Sequence, residues 1–231
     1  TGMPPSDWLR DPATIYARSF AAIAAEADLD RLPEALRPLA VRLVHACGMV
    51  DIVADLVWGG APVAAGRAAL AAGAPVLVDA RMVAAGLTRL PAGNPVHCML
   101  DAPGVAAQAA AAATTRSAMG IDLARERLGG AVVALGTAPT ALFRLLELLA
   151  EGAPRPAVIL AFPVGFVGAA ESKAALAESG LEVPFVTLAG RRGGSAIAAA
   201  AVNALALEAS SRGAAGDPPR PDGAGPPACP R

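Results

Sequence analysis

Five short apolar runs punctuate the chain: PVLVD (75–79), PVHCML (95–100), AVVALG (131–136), AVILAFP (157–163) and VPFVTL (183–188), each separated from the next by a longer Ala- and Leu-rich stretch. The runs show little alternation of apolar and polar residues, as strands buried on both faces do. The stretches between them predict helices over about 102–118, 138–150, 168–179 and 194–208, and three more helices, over about 11–28, 34–48 and 61–72, precede the first run.

Strand followed by helix, repeated, implies a parallel sheet with helices on both faces, because each crossover connection lays its helix on the sheet. The expectation is a single three-layer α/β domain over residues 1–208, with about five parallel strands and extra N-terminal helices. Residues 209–231 end in SSRGAAGDPPRPDGAGPPACPR, which has almost nothing to pack and reads as a Pro/Gly-rich disordered tail. No internal repeat interrupts this plan.

Composition narrows the function classes. Hydrophobic residues make up 55% and charged residues 17% of the 231 residues, enough to bury a full core. A formal net charge of -1 supplies no global field for nucleic acid or an anionic membrane, and no basic run appears. The apolar runs Gly193–Leu207 and Pro156–Ala170 are shorter than the roughly 18 residues of a membrane span, and the start lacks a signal-peptide pattern. Three cysteines, Cys47, Cys98 and Cys229, form no CxxC pair, which suggests neither a disulfide framework nor a zinc site. A reducing cytoplasmic location is expected.

Of nineteen Lys and Arg residues only Lys173 is lysine. Arginine is the better fork for carboxylates and phosphates, so the bias suits an anionic ligand, although high-GC coding produces the same bias. Placement therefore has to decide. In an open α/β sheet ligands bind beyond the carboxyl ends of the strands, where loops feed helix N-termini. The loops expected there are Asp79–Arg81, Asp101–Gly104, Gly136–Thr140, Pro163–Gly168 and Gly190–Ser195. They are rich in glycine and bring Arg81, Arg191 and Arg192 to one rim, which points to a pocket for a large anion. No G-x-G-x-x-G follows the first strand and no G-x-x-x-x-G-K-[ST] occurs, so nucleotide binding becomes a minority reading.

The chain has two histidines. In RLVHACGMVD (42–51), Pro38 suits the first turn of a helix and Gly48 its C-terminal cap. Leu36, Leu43 and Cys47 then share one stripe, and His45 lies off it with Arg42 one turn back. The helix dipole favours imidazolium there and Arg42 opposes it, which suits a group that gives and takes a proton. A lone histidine is also commonly structural or merely exposed. His97 falls inside a predicted buried strand and reads as a satisfied core residue, and no partner at metal-ligand spacing accompanies either ring.

One resemblance runs through these segments. IYARSF (15–20), RLVHACGMVD, DARMV (79–83), GNP (93–95), ATTRSA (113–118), GTAPTAL (136–142), PVGFVGAAESK (163–173) and GRRGGS (190–195), in this order, resemble the precorrin-8X methylmutase family over about residues 11–208. The resemblance implies a flavodoxin-like fold and an isomerase of cobalamin biosynthesis, which moves a methyl group between neighbouring ring C carbons of the macrocycle to give hydrogenobyrinate. It implies no metal and no organic cofactor, a tetrapyrrole as substrate, and a homodimer with substrate near the subunit interface. His45 would be the proton donor or acceptor, and Ser19 and Arg42 would contact substrate. Arg116 and Arg192 join them as weaker candidates for substrate contact. A large polycarboxylate substrate would account for arginines on the loops, and an intramolecular migration needs positioning and one placed proton more than a nucleophile.

Three alternatives stay open: a non-catalytic tetrapyrrole carrier on the same fold, the related cobalt-precorrin-8 methylmutase of the anaerobic route, and a nucleotide-dependent oxidoreductase or hydrolase. His97 and the long tail depart from the family pattern without touching a motif.

Overall fold

The computed structural model describes residues 8–210, so the tail expected over 209–231 lies, beyond Ser210, outside the described residues. Helices α1 (Pro12–Glu26) and α2 (Arg37–Cys47) come first, followed by β1 (Leu56–Gly59), α3 (Pro62–Ala71), β2 (Val76–Val78), α4 (Arg81–Ala85) and β3 (Val96–Cys98). Then come α5 (Val105–Ala111), α6 (Arg116–Leu123), β4 (Val132–Leu135), α7 (Pro139–Ala150), β5 (Val158–Ala161), α8 (Ala169–Glu178), β6 (Phe185–Leu188) and α9 (Ser195–Ser210).

The strands form one sheet in the order β1-β6-β5-β4-β2-β3. From β3 to β6 every pairing is parallel. The five parallel strands therefore follow the flavodoxin order 2-1-3-4-5, and the order in which strands are added reverses between β2 and β4. Alternation along each strand divides the core. Val76, Val78, Val132, Ala134, Val158, Leu160, Val186 and Leu188 face α2, α3, α4 and α9. Leu77, Val133, Leu135, Ile159, Ala161 and Phe185 face α6, α7 and α8. Both faces are buried, which is why the strand sequences read as continuous apolar runs.

One strand is added to the expected five, and two expectations are corrected here. The sheet has six strands, because Leu56–Gly59 pairs antiparallel with β6, Leu56 opposite Leu188. Its four residues carry no periodicity, and the partner lies far along the chain. The single helix expected over 102–118 is α5 and α6, broken where Ala113 takes a positive φ of 50° and Thr115 caps the new helix, its Oγ1 accepting from Ala118 N. His97, expected in the core, is half-buried on β3, an edge strand covered on one side only.

Because β1 runs antiparallel to β6 from Leu56, the 3-10 segment Val50–Asp55 that precedes it sits at the carboxyl end of the parallel strands. Asp55 O accepts from Ala189 N there. That segment follows α2 after Gly48, whose φ of 70° is the left-handed conformation that ends the helix. The last turn of α2, with His45, is thereby tied to the same rim. A Cβ at Gly48 would meet nothing within 4 Å, so Gly48→Ala bears only the backbone cost of the left-handed conformation. A loss of about 1 kcal/mol is expected in urea denaturation, with an unchanged m-value.

Candidate active site

Arg42, half-buried, and His45, exposed, project from α2 towards the face of α1 that carries Tyr16 and Phe20. The spacing of four residues places the two aromatic rings on one side of α1, where they stack with centroids 4.4 Å apart. The His45 ring lies 5.0 Å from Phe20 and 5.9 Å, edge on, from Tyr16. Arg42 Nη1 donates to Tyr16 Oη at 2.9 Å, and its guanidinium sits 5.3 Å over the Phe20 ring. Ser19 follows Tyr16 by one turn and is half-buried. Ser19, Arg42 and His45 thus share one patch, with Tyr16 and Phe20 as the packing that orients the imidazole and the guanidinium. Those two aromatics were missed as site residues by sequence reasoning, although their i, i+4 spacing in IYARSF was a visible signal.

The other two candidates are elsewhere. Arg116 opens α6, on the opposite face of the sheet from α2; it is exposed and makes no hydrogen bond or ion pair among the described residues. Thr115, just before it, shares a hydrogen bond of 2.8 Å with Thr140 at the start of α7, which places Arg116 at the carboxyl-end rim. Arg192 is on the rim too, but Asp51 and Asp55 hold the two ends of its guanidinium fork. It is therefore not the open cation the sequence suggested. The aspartates reach it because the 3-10 segment 50–55 lies against the loop after β6.

At the reversal point between β2 and β4, the place where flavodoxin-type sheets bind phosphate, the chain supplies its own anion. Asp79, 2% exposed, accepts from the backbone N–H of Gly136 at 2.8 Å, Thr137 at 2.8 Å and Ala138 at 2.9 Å. A phosphate would have to displace it, which is a physical reason beyond missing motifs to set nucleotide binding aside. Burial pushes the Asp79 carboxyl above its ordinary range, and the three amides pull it back. The three amides converge on both carboxylate oxygens, Gly136 on one and Thr137 and Ala138 on the other. Thr137 Oγ1 in turn meets Ser195 Oγ at 3.2 Å, tying the start of α9 to the same loop.

Lys173, 1% exposed on α8, donates from Nζ to the carbonyl of Arg192 at 2.5 Å. Burial lowers its pKa from the usual 10.5 to about 8, and the negative charge of Asp55 opposes the fall. Between those values the unfolded chain keeps a proton that the folded chain has released, so stability rises with pH across the window, by up to about 1.4 kcal/mol per pH unit. Below it both states are protonated and the dependence ends. Denaturant titrations across about pH 8 to 10 check this: the wild type is expected to gain stability that Lys173→Met does not.

A groove of about 1190 Å³ runs along β3, with Arg81, His97, Cys98, Asp101, Leu123 and Arg127 on its walls. None of the five candidate residues lines it. Arg81 is paired with Asp101, its Nε 2.7 Å from the carboxylate. Among the described residues no group of three or more His, Cys, Asp or Glu side chains is placed to hold a metal ion, and no helix is long and apolar enough to cross a membrane.

Strand order and rim chemistry together define a flavodoxin-type α/β enzyme domain whose phosphate position is closed and whose rim offers an imidazole and guanidinium groups. The family model for precorrin-8X methylmutase matches residues 14–208. Precorrin-8X methylmutase of Pseudomonas aeruginosa is 60% identical over 204 residues, covering 87% of this chain and 98% of that protein. A precorrin-8X methylmutase of Sinorhizobium sp is 58% identical over 88% of this chain and 98% of its own length. The cobalt-precorrin-8 methylmutase of Priestia megaterium is 32% identical over 87% and 89%. The crystal structure of the precorrin-8X methylmutase from Thermus thermophilus superposes with a TM-score of 0.79 at 40% identity, covering 87% of this chain and 98% of that one. The chain belongs to the precorrin-8X methylmutase family, and so is an isomerase of cobalamin biosynthesis.

Proposed function

We propose that this isomerase shifts a methyl group between adjacent ring C carbons of precorrin-8X to give hydrogenobyrinate, with His45 as the acid and base. One observation carries the assignment: His45 is an exposed imidazole, oriented by Tyr16 and Phe20 on the patch that also holds Arg42 and Ser19. Its imidazolium protonates the conjugated macrocycle and makes the acceptor carbon electrophilic. The methyl group then migrates with its bonding pair to the neighbouring carbon, and loss of a proton to the same imidazole restores the conjugated system. Atoms balance without a co-reactant, as an isomerisation requires.

Arg42, Ser19 and Arg116 are the proposed substrate contacts. A guanidinium fork pairs two-pronged with a carboxylate, and the acidic side chains around a tetrapyrrole supply many. Arg192, held by Asp51 and Asp55, is assigned to shaping the rim instead. The His45 patch is open in a single chain, with Tyr16 at 44% exposure within it and Ile15, next to Tyr16 on α1, at 41%. Proton transfer to a macrocycle is favoured where water is excluded, so a second copy covering this patch is proposed to complete the site. Sedimentation is expected to give a dimer of the 22.9 kDa chain at micromolar concentration; a monomer alone removes the shared site.

The higher identity to precorrin-8X methylmutases than to the cobalt-precorrin-8 methylmutase of Priestia megaterium supports the metal-free substrate. Purified protein mixed with each substrate, followed by absorbance, tests both points. Conversion of precorrin-8X well ahead of its cobalt form is expected. Tight binding of either with no spectral conversion would favour a carrier.

A further inference from the structure

The mechanism above leaves unused the most deeply buried cation among the described residues. Lys173 is the only lysine, is 1% exposed, and does not face the His45 patch. Its ammonium is seated against Arg192 O, in the loop between β6 and α9, and the side chain of that same Arg192 reaches the other way to Asp51 and Asp55. Two cations and two carboxylates thereby form one charge-balanced cluster. It joins three parts of the fold: α8, the loop at 190–195, and the 3-10 segment 50–55 that continues from the His45 helix.

The loop itself has little room to shift. Gly194 N donates to Phe162 O at 2.9 Å, and a Cβ at Gly193 would lie 2.2 Å from that same carbonyl oxygen. Whatever seats the Arg192 carbonyl therefore sets where its guanidinium emerges, and so where Asp51 and Asp55 are held.

We propose that Lys173 is a positioning residue for the methyl shift: by seating the Arg192 carbonyl beside Asp55 it fixes the clamp that holds the segment leading out of the His45 helix. The proposal rests on the assignment of His45 and extends it. A small displacement of a proton donor is enough to slow a reaction that depends on alignment, even when the altered residue is remote from substrate. The charged groups facing Lys173 are few. Asp55 acts on it from the 3-10 segment and Arg192 meets it from the loop; β1, also packed on α8, brings no titratable side chain. On α7, Arg144 is engaged with Asp122, Glu147 and Glu151. Loss of the Lys173 proton would leave the cluster with one excess negative charge, and with a pKa of about 8 that loss falls within reach of an activity measurement.

The test compares the full-length wild type with Lys173→Met and Asp55→Asn, using precorrin-8X turnover across about pH 6 to 9.5. Methionine fills the buried space without a charge. The expected result is a fall in kcat of about 10- to 100-fold near neutrality, with KM within about threefold and a cooperative melt retained. The alkaline decline of wild-type kcat, centred near the Lys173 titration, should be missing from Lys173→Met. In Asp55→Asn, where the ammonium loses its opposing charge, the decline should move to lower pH; this variant keeps the test alive if Lys173→Met does not fold. A folded Lys173→Met with wild-type kcat and pH profile, or an unmoved decline in Asp55→Asn, overturns the proposal. If His45→Ala is inactive in the same assay, that failure belongs to Lys173 alone; an active His45→Ala removes the His45 assignment first.

Discussion

His45→Ala is expected to lower kcat by about 10²–10⁴-fold, the range that a placed acid or base contributes, while affinity for product changes by no more than a few-fold. The asymmetry follows from position. The ring is exposed and its contacts are the edges and faces of Tyr16 and Phe20, so its loss opens no cavity in the core. Stability should stay within about 1 kcal/mol of wild type, because exposed aromatic contacts contribute at most that much. Single-turnover absorbance with precorrin-8X and a product titration separate chemistry from binding. A variant that turns over at the wild-type rate would show that the imidazole is not the acid or base, and with it the proposed mechanism falls.

The largest effect on folding is expected at Asp79. Asp79→Ala removes the buried acceptor for three backbone N–H groups at the start of α7, of which that of Gly136 is buried while Ala138 is half-buried and Thr137 exposed. Stranding a buried donor costs about 1–3 kcal/mol, and with the Thr137 and Ala138 amides able to turn to water the expected total is about 2–4 kcal/mol. That is a large part of the roughly 5–15 kcal/mol by which a domain is stable. Asp79→Asn keeps the shape but turns an NH₂ towards an amide N–H, so a loss of about 1–3 kcal/mol is expected. Urea midpoints order the three proteins; an Asp79→Ala within 1 kcal/mol of wild type would mean that the loop holds its shape without the carboxylate.

Both predictions concern residues whose surroundings the sequence described unevenly. The placement of His45 off the apolar stripe was legible, because Pro38 and Gly48 bound the helix and 100° per residue does the rest. That Arg42 would reach Tyr16 was not, since α1 and α2 can pack in many registers. Asp79 closes a buried apolar run, and a carboxylate there is a signal that was available; its partners, more than fifty residues on, were not. The expectation that Arg192 is an open cation failed for the same reason. Its counter-charges lie 141 and 137 positions away, where no spacing rule reaches.

The strand at Leu56–Gly59 and the break between α5 and α6 show the limit from the side of the fold. Four residues without alternation become a strand only when β6 offers its free edge, and an Ala-rich stretch ends as a helix only where Thr115 can cap the next one. By itself the sequence determined the parallel sheet, its covering helices, the helix that presents His45 and the family, because burial and capping are written in local patterns a few residues long. The tertiary structure alone decided the antiparallel edge, the anion that closes the phosphate position and the Lys173–Arg192 clamp. Those depend on which distant groups meet in a low-dielectric interior, where charge and hydrogen bonding take their strength from neighbours that local sequence does not name.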